Sequence, residues 1–154
     1  YCHVSVEKSG FAGIPPTATC INCHQQIWTE AAVLQPVRDS WHDDKPLHWR
    51  RVNRLPDFVY FNHSIHVNKG IGCVECHGRV DKMALTYAAQ PLTMVWCLEC
   101  HRDVAKHLRP ADAVVSMTWQ PPDKPADRAA QEKSLMAAYH IHPVGLTDCS
   151  TCHR

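Results

Sequence analysis

Apolar residues along this chain come in short runs that seldom hold a period for long. The clearest helical stretch is 126–139, where Leu135, Met136 and Tyr139 fall on one face and Pro125 stands where proline suits a first turn. Two more helices are predicted, from about Cys20 to Leu34, ending before Pro36, and from about Cys97 to Leu108, stopped by Pro110. The run Phe58-Val59-Tyr60-Phe61 predicts a short strand. Residues 35–56, with Trp41 and Trp49 set among charges, keep no period and read as a wrap over the interior. Residues 120–125 read as a surface linker. The most apolar window, Met83 to Leu98, is interrupted by Gln90, Pro91 and two threonines. It does not reach the roughly 20 apolar residues of a membrane span and reads as a buried segment. The pattern predicts a mainly α chain with long loops and little strand.

Composition makes that picture harder to stabilise. Leu, Ile, Val and Phe make up 32 of the 154 residues, barely above the roughly one-fifth below which a chain struggles to build an apolar core. The outliers are nine Cys, twelve His and eleven Pro. Sixteen basic against fifteen acidic residues give a net charge of +1, which argues against a nucleic-acid surface. The chain begins at Tyr1 with no hydrophobic leader, so the full-length protein is expected to extend further at its N-terminus.

Four C-x-x-C-H strings account for most of the unusual residues: Cys20-Cys23-His24, Cys73-Cys76-His77, Cys97-Cys100-His101 and Cys149-Cys152-His153. Even at this composition chance would supply only about 0.04 such strings. In haem c attachment the two thiols add to the porphyrin vinyl groups as thioethers, and the adjacent His reaches the iron as proximal ligand. Zinc knuckles do not need a His directly after each pair. A redox C-x-x-C normally occurs once, beside a βαβ pattern that is missing here. The macrocycles would then form the interior that the aliphatic residues cannot, with the polypeptide wrapped around a closely packed haem chain.

Cys2-His3 has the form of the end of a fifth string, its first Cys lying three residues before Cys2. The segment Cys2-His3-Val4-Ser5-Val6-Glu7-Lys8 aligns with Cys76-His77-Gly78-Arg79-Val80-Asp81-Lys82, both C-H-x-x-V-acid-K. Read as a repeat, the chain is one multihaem domain holding a dihaem module at about 1–34, a second at about 58–109 and a C-terminal haem at about 126–154. Five haems c are expected, with His3, His24, His77, His101 and His153 as proximal ligands and every Cys consumed.

Second axial ligands must come from the remaining His or from Met. Phe61-Asn62-His63-Ser64-Ile65-His66 stands seven residues before Cys73. An F-x-H-x-x-H string there resembles the small multihaem periplasmic cytochromes of class III. That resemblance implies that His63 ligates the haem on Cys73 and Cys76 and that His66 serves a neighbouring haem. Two His three apart cannot bind one iron from the same side, but they can bridge two haems. His140 and His142 occupy the same neighbourhood before Cys149, and one of them is expected as a distal ligand, His140 first. Met83 and Met94 are further candidates, because a thioether raises a haem potential relative to His, although Met beside a haem is more often packing. His42, His48 and His107 are expected at the surface or against propionates.

Over nearly the whole chain the sequence is similar to the pentahaem cytochrome c subunit of alternative complex III, a bacterial quinol:electron-acceptor oxidoreductase. The strings that carry this are Leu55-Pro56-Asp57-Phe58-Val59-Tyr60-Phe61-Asn62-His63, Pro91-Leu92-Thr93-Met94-Val95-Trp96-Cys97 and Leu146-Thr147-Asp148-Cys149-Ser150-Thr151-Cys152-His153-Arg154. The resemblance implies an N-terminal membrane anchor upstream and a place on the periplasmic side of the bacterial inner membrane. The implied partners are an iron–sulfur subunit related to molybdopterin oxidoreductases, polytopic membrane subunits and a monohaem cytochrome c. The expected role is electron relay with no substrate of its own. Two other classes compete. A nitrite-type multihaem reductase would show one five-coordinate iron, and a polymerising haem wire would need exposed terminal haems.

Overall fold

The structure, a computed structural model, describes residues 3–153. Seven short helices follow in chain order: α1 (Thr17–His24), α2 (Gln35–His42), α3 (His63–Asn68), α4 (Cys73–His77), α5 (Met94–Arg102), α6 (Pro125–Ala138) and α7 (Cys149–Cys152). Single 3-10 turns at Ala32–Leu34, Val80–Lys82, Val104–His107 and Ala111–Ala113 punctuate the loops. Among the described residues the β pairing amounts to one isolated antiparallel bridge between Ile71 and Leu108. The mainly helical, loop-rich reading therefore holds, and the Phe58–Phe61 strand does not form. Its backbone is used otherwise: the Val59 N–H donates to Pro56 O at 3.0 Å and the Tyr60 N–H to Cys152 O at 2.9 Å.

Helix boundaries moved where proline was misread. Pro36 does not terminate the first helix; it sits in the first turn of α2, where its missing N–H has no partner to lose. Helix α1 ends at His24, and Trp28 at φ 56° turns the chain away. α2 then folds back on α1, with the Thr17 and Ser40 hydroxyls 2.8 Å apart and Ile21 buried beneath them. α5 starts earlier than predicted, at Met94, because Thr93 caps it by accepting the Trp96 N–H. It ends at Arg102, and the rest of the predicted span continues as a 3-10 turn. α6 matches the sequence reading almost residue for residue. It ends with His140 in the left-handed region (φ 49°), the His140 N–H donating to Ala137 O and the Ile141 N–H to Met136 O, an arrangement that usually selects glycine.

Little of the polypeptide is buried by the polypeptide itself. Five apolar residues, Ile21, Ile71, Leu108, Ala113 and Val114, are buried, and among the described residues none is completely enclosed. Four of these five lie in the segments that also bury one charged side chain, Arg109, which is 4% exposed. Segments 70–75, 107–116 and the end of α6 converge there: the Arg109 N–H donates to Gly70 O (2.9 Å), Tyr139 Oη donates to Arg109 O (2.7 Å), and the Cys73 N–H donates to Val114 O (3.1 Å). A Cβ at Gly72 would run into the Arg109 side chain, so the close approach demands glycine at that position.

Candidate functional site

Each complete C-x-x-C-H string lies on a helical turn: the last turn of α1, the whole of α4, the second half of α5, and α7 with His153, whose N–H donates to Cys149 O at 2.8 Å. Residues three and four apart share a helix face, so both sulfurs and the imidazole of a string are offered to one side. Gly72 and Gly78 flank α4, and Gly78 at φ 66° lets the chain leave directly after His77. Cys2 lies outside the described residues; His3 lies within them. At aligned positions after His3 and His77 the chain makes the same turn, Lys8 N–H to Ser5 O and Lys82 N–H to Arg79 O, both 2.9 Å.

The environment of the sulfurs suits neutral thioethers. Burial pushes the Cys76 thiol up to about 12, assisted by Cys100 and Glu75, and the Cys100 thiol up to about 11, assisted by Glu75. Burial raises Cys97 as well, with Cys152 adding to it. None of Cys23, Cys73, Cys76, Cys97, Cys100, Cys149 and Cys152 forms a disulfide. Among the described residues no three His, Cys, Asp or Glu side chains converge as a bare ion would require. A haem brings its own four equatorial nitrogens and asks the protein only for axial donors.

The imidazoles are oriented for that task. His3, His24, His63, His66, His101 and His153 each turn Nδ1 to a backbone carbonyl, those of Gly13, Ile27, Gly10, Asn62, Leu146 and Phe58, at 2.7–3.2 Å. An imidazole that donates from Nδ1 keeps its Nε2 lone pair for a metal. Burial, with the His101 and His63 rings adding to it, lowers the pKa of His66. Burial, with the His63 and His3 rings, lowers that of His77. Both are thereby held neutral, the state that binds iron.

Two pairs of rings face each other. His63 and His77 have centroids 6.4 Å apart and planes within 9°; His66 and His101 are 6.2 Å apart at 31°. An iron between two imidazoles needs roughly 6 Å, twice a metal–nitrogen bond of about 2 Å plus about 1 Å from each nitrogen to its ring centre. The residues present fit haem. Spacing alone does not make a ligand, since Trp28 stacks on His24 at 6.3 Å and an indole offers only an N–H. α3 supplies one member of each pair from a single turn, and Phe61 packs against both His63 and His66, with centroids 4.7 and 4.5 Å away.

The other candidates are not brought together in this way. The imidazoles of His140 and His142 make no ring contact or hydrogen bond among the described residues. Met94 is exposed at the start of α5, and Met83 lies beside Gly78. His42 and His48 are exposed, as expected. His107 is partly buried, and its Nδ1 meets Glu75 Oε2 at 3.3 Å. Sequence reasoning missed three participants: Asn53, whose amide meets His77 Nδ1; Glu75, between the two cysteines of α4; and Arg109, which donates to Glu75 Oε1 at 2.7 Å. None carries a motif. A lone Arg before a proline and an Asn in a loop are the ordinary furniture of a surface.

The family model for cytochrome c3 matches residues 65–154, more than half of the chain and three of the four complete strings. Two curated proteins of Nitratidesulfovibrio vulgaris (strain Hildenborough) are similar. One is the multihaem cytochrome c subunit of menaquinone reductase, 30% identical over 105 residues, which are 68% of this chain and 43% of that protein. The other is a high-molecular-weight cytochrome c, 26% identical over 207 residues, covering 99% of this chain and 36% of that protein. The chain thus spans less than half the length of the curated relatives it matches. Among the described residues no helix is long and apolar enough to cross a membrane.

Proposed function

This chain belongs to the cytochrome c3 family of multihaem c-type cytochromes, electron-transfer proteins, and from that premise we propose that it is the electron-transfer subunit of a membrane-bound quinol:acceptor oxidoreductase of the alternative complex III kind. Five haems c are carried, on Cys2 with its upstream partner, Cys20/Cys23, Cys73/Cys76, Cys97/Cys100 and Cys149/Cys152, with His3, His24, His77, His101 and His153 proximal. His63 completes the Cys73/Cys76 site and His66 the Cys97/Cys100 site. Second ligands for the remaining haems are drawn from His140, His142, Met83 and Met94. Haem iron held in these positions supplies one-electron transfer. The polypeptide fixes ring orientation through Nδ1, keeps His66 and His77 neutral by burial and ties two sites together through α3.

The observation that carries the reading is the double pairing of His63 with His77 and His66 with His101 from one turn of helix. The quinol assignment is supported by the menaquinone reductase relative and by the strings around Pro56, Leu92 and Asp148. The partners are an iron–sulfur subunit related to molybdopterin oxidoreductases, polytopic membrane subunits and a monohaem cytochrome c. The location is the periplasmic side of the bacterial inner membrane, the compartment side on which haem c is attached.

Intact mass with a pyridine haemochrome assay fixes the haem number, and purification of the tagged protein from native membranes fixes its company. Five haems per chain, and co-purifying subunits that let a quinol reduce them, are expected. A chain that leaves the membrane fraction alone and takes no electrons from a quinol in any isolated complex contradicts the assignment.

A further inference from the structure

His77 differs from the six other imidazoles whose Nδ1 is engaged as above: its partner is a side chain, not a backbone carbonyl. Asn53 Nδ2 lies 3.1 Å from His77 Nδ1, while Asn53 Oδ1 is buried with no partner. An imidazole that gives its Nε2 lone pair to iron carries its one proton on Nδ1. Nδ1 is then a donor, and facing it with the amide N–H₂ would set two donors together. Rotating the amide by a half turn exchanges its nitrogen and oxygen with almost no change of shape. Oδ1 then accepts the His77 Nδ1–H, and two donors no longer face each other.

We propose that Asn53, with Oδ1 accepting from His77 Nδ1, is a positioning residue that sets the reduction potential of the haem on Cys73 and Cys76 separately from the others. The inference rests on the axial role given to His77 above. A hydrogen bond accepted from Nδ1 gives the imidazole anionic character, which favours ferric over ferrous iron and lowers the potential. Where that acceptor is a backbone carbonyl, substitution cannot remove it. At His77 the acceptor is a side chain and can be changed alone. The segment that carries Asn53 is tethered on either side of it: Arg51 lies over the Phe11 ring at 5.6 Å, and Phe58 O accepts from His153 Nδ1.

The test is a spectroelectrochemical titration of the haem-loaded protein with Asn53→Leu and Asn53→Asp, alongside haem count and the low-spin ferric EPR signal. One component moves to higher potential in Asn53→Leu, which removes the acceptor, and to lower potential in Asn53→Asp, which strengthens it. The other components stay in place, and the haem count and spin state are unchanged in both. Components that stay where they were in both variants, or that move the same way, overturn the role of Asn53 while leaving His77 as ligand. A high-spin signal from the Cys73/Cys76 haem in the unaltered protein overturns the ligation reading itself, and this inference with it.

Discussion

Arg109 and Glu75 form an ion pair of 2.7 Å in which the cation is almost wholly enclosed, its side chain 5% exposed, and the anion keeps 31%. The guanidinium is further held by Ser116 O at 3.0 Å and by the face of Trp119, 5.1 Å from Cζ to the ring centroid. Glu75 stands on the attachment turn of α4 and influences both the Cys76 and the Cys100 sulfurs, so this pair anchors the ground between two haem sites.

Arg109→Met should destabilise the haem-loaded protein by about 3 kcal/mol, the low end of what breaking a buried pair costs, because Glu75 retains some contact with water. Denaturant unfolding of the holoprotein measures it. Adding Glu75→Gln should return part of the loss, since the orphaned charge is then gone; a double variant no better than the single would remove the pair from the explanation.

His107 gives this region a pH dependence. Its hydrogen bond with Glu75, and then the attraction of that carboxylate, raise its pKa above the ordinary 6.5. A pKa raised on folding contributes stability that is fully present below 6.5 and is lost as pH rises through the folded value. Glu75, held low chiefly by the same hydrogen bond, keeps its charge throughout that range. The stability gap between the unaltered protein and His107→Gln should therefore be widest at about pH 5.5 and close by about pH 9. Unfolding midpoints at the two pH values decide it.

His63→Ala and His66→Ala should each leave one iron short of a ligand while both thioethers persist. Haem count stays constant and a high-spin ferric signal appears, from the Cys73/Cys76 haem in the first variant and the Cys97/Cys100 haem in the second. Low-spin spectra identical to the unaltered protein would remove that histidine from the axial set.

Chain made without haem attachment, in the cytoplasm for instance, should be unfolded. Ordering a residue costs roughly 1–2 kcal/mol of backbone entropy, and a polypeptide with five buried apolar residues among those described has little to set against that cost summed over the chain. Circular dichroism is the check: helix content and a cooperative melt like those of the holoprotein would mean that the fold stands without its cofactors.

What could be read in advance was whatever depended on local spacing. The C-x-x-C-H strings fix their own helical turns, and α6 announces itself through Pro125 and the Leu135, Met136, Tyr139 face. The resemblance to class III cytochromes is what singled out His63 and His66, and the structure sets their rings opposite His77 and His101. Arg109 was illegible for a physical reason: its burial depends on Gly72 and Tyr139 arriving from two distant parts of the chain. Pro36 was misread because proline opens a helix as readily as it ends one, and only the packing of α2 on α1 separates the two.

The loop at 58–60 imposes an order in time. Phe58 O accepts from His153 Nδ1 across 95 residues, and the Tyr60 N–H reaches Cys152 O. A chain delivered from its N-terminus presents residues 58–60 long before residues 152 and 153 arrive. The contacts around α3, α4 and α5 span far shorter distances and can close first, each haem fastened as its string emerges. The clasp between Tyr60 and Cys152 can shut only when the last string has arrived, so maturation should run from the earlier strings toward the last, and a truncated product would hold its earlier haems with the 58–60 loop still unclasped.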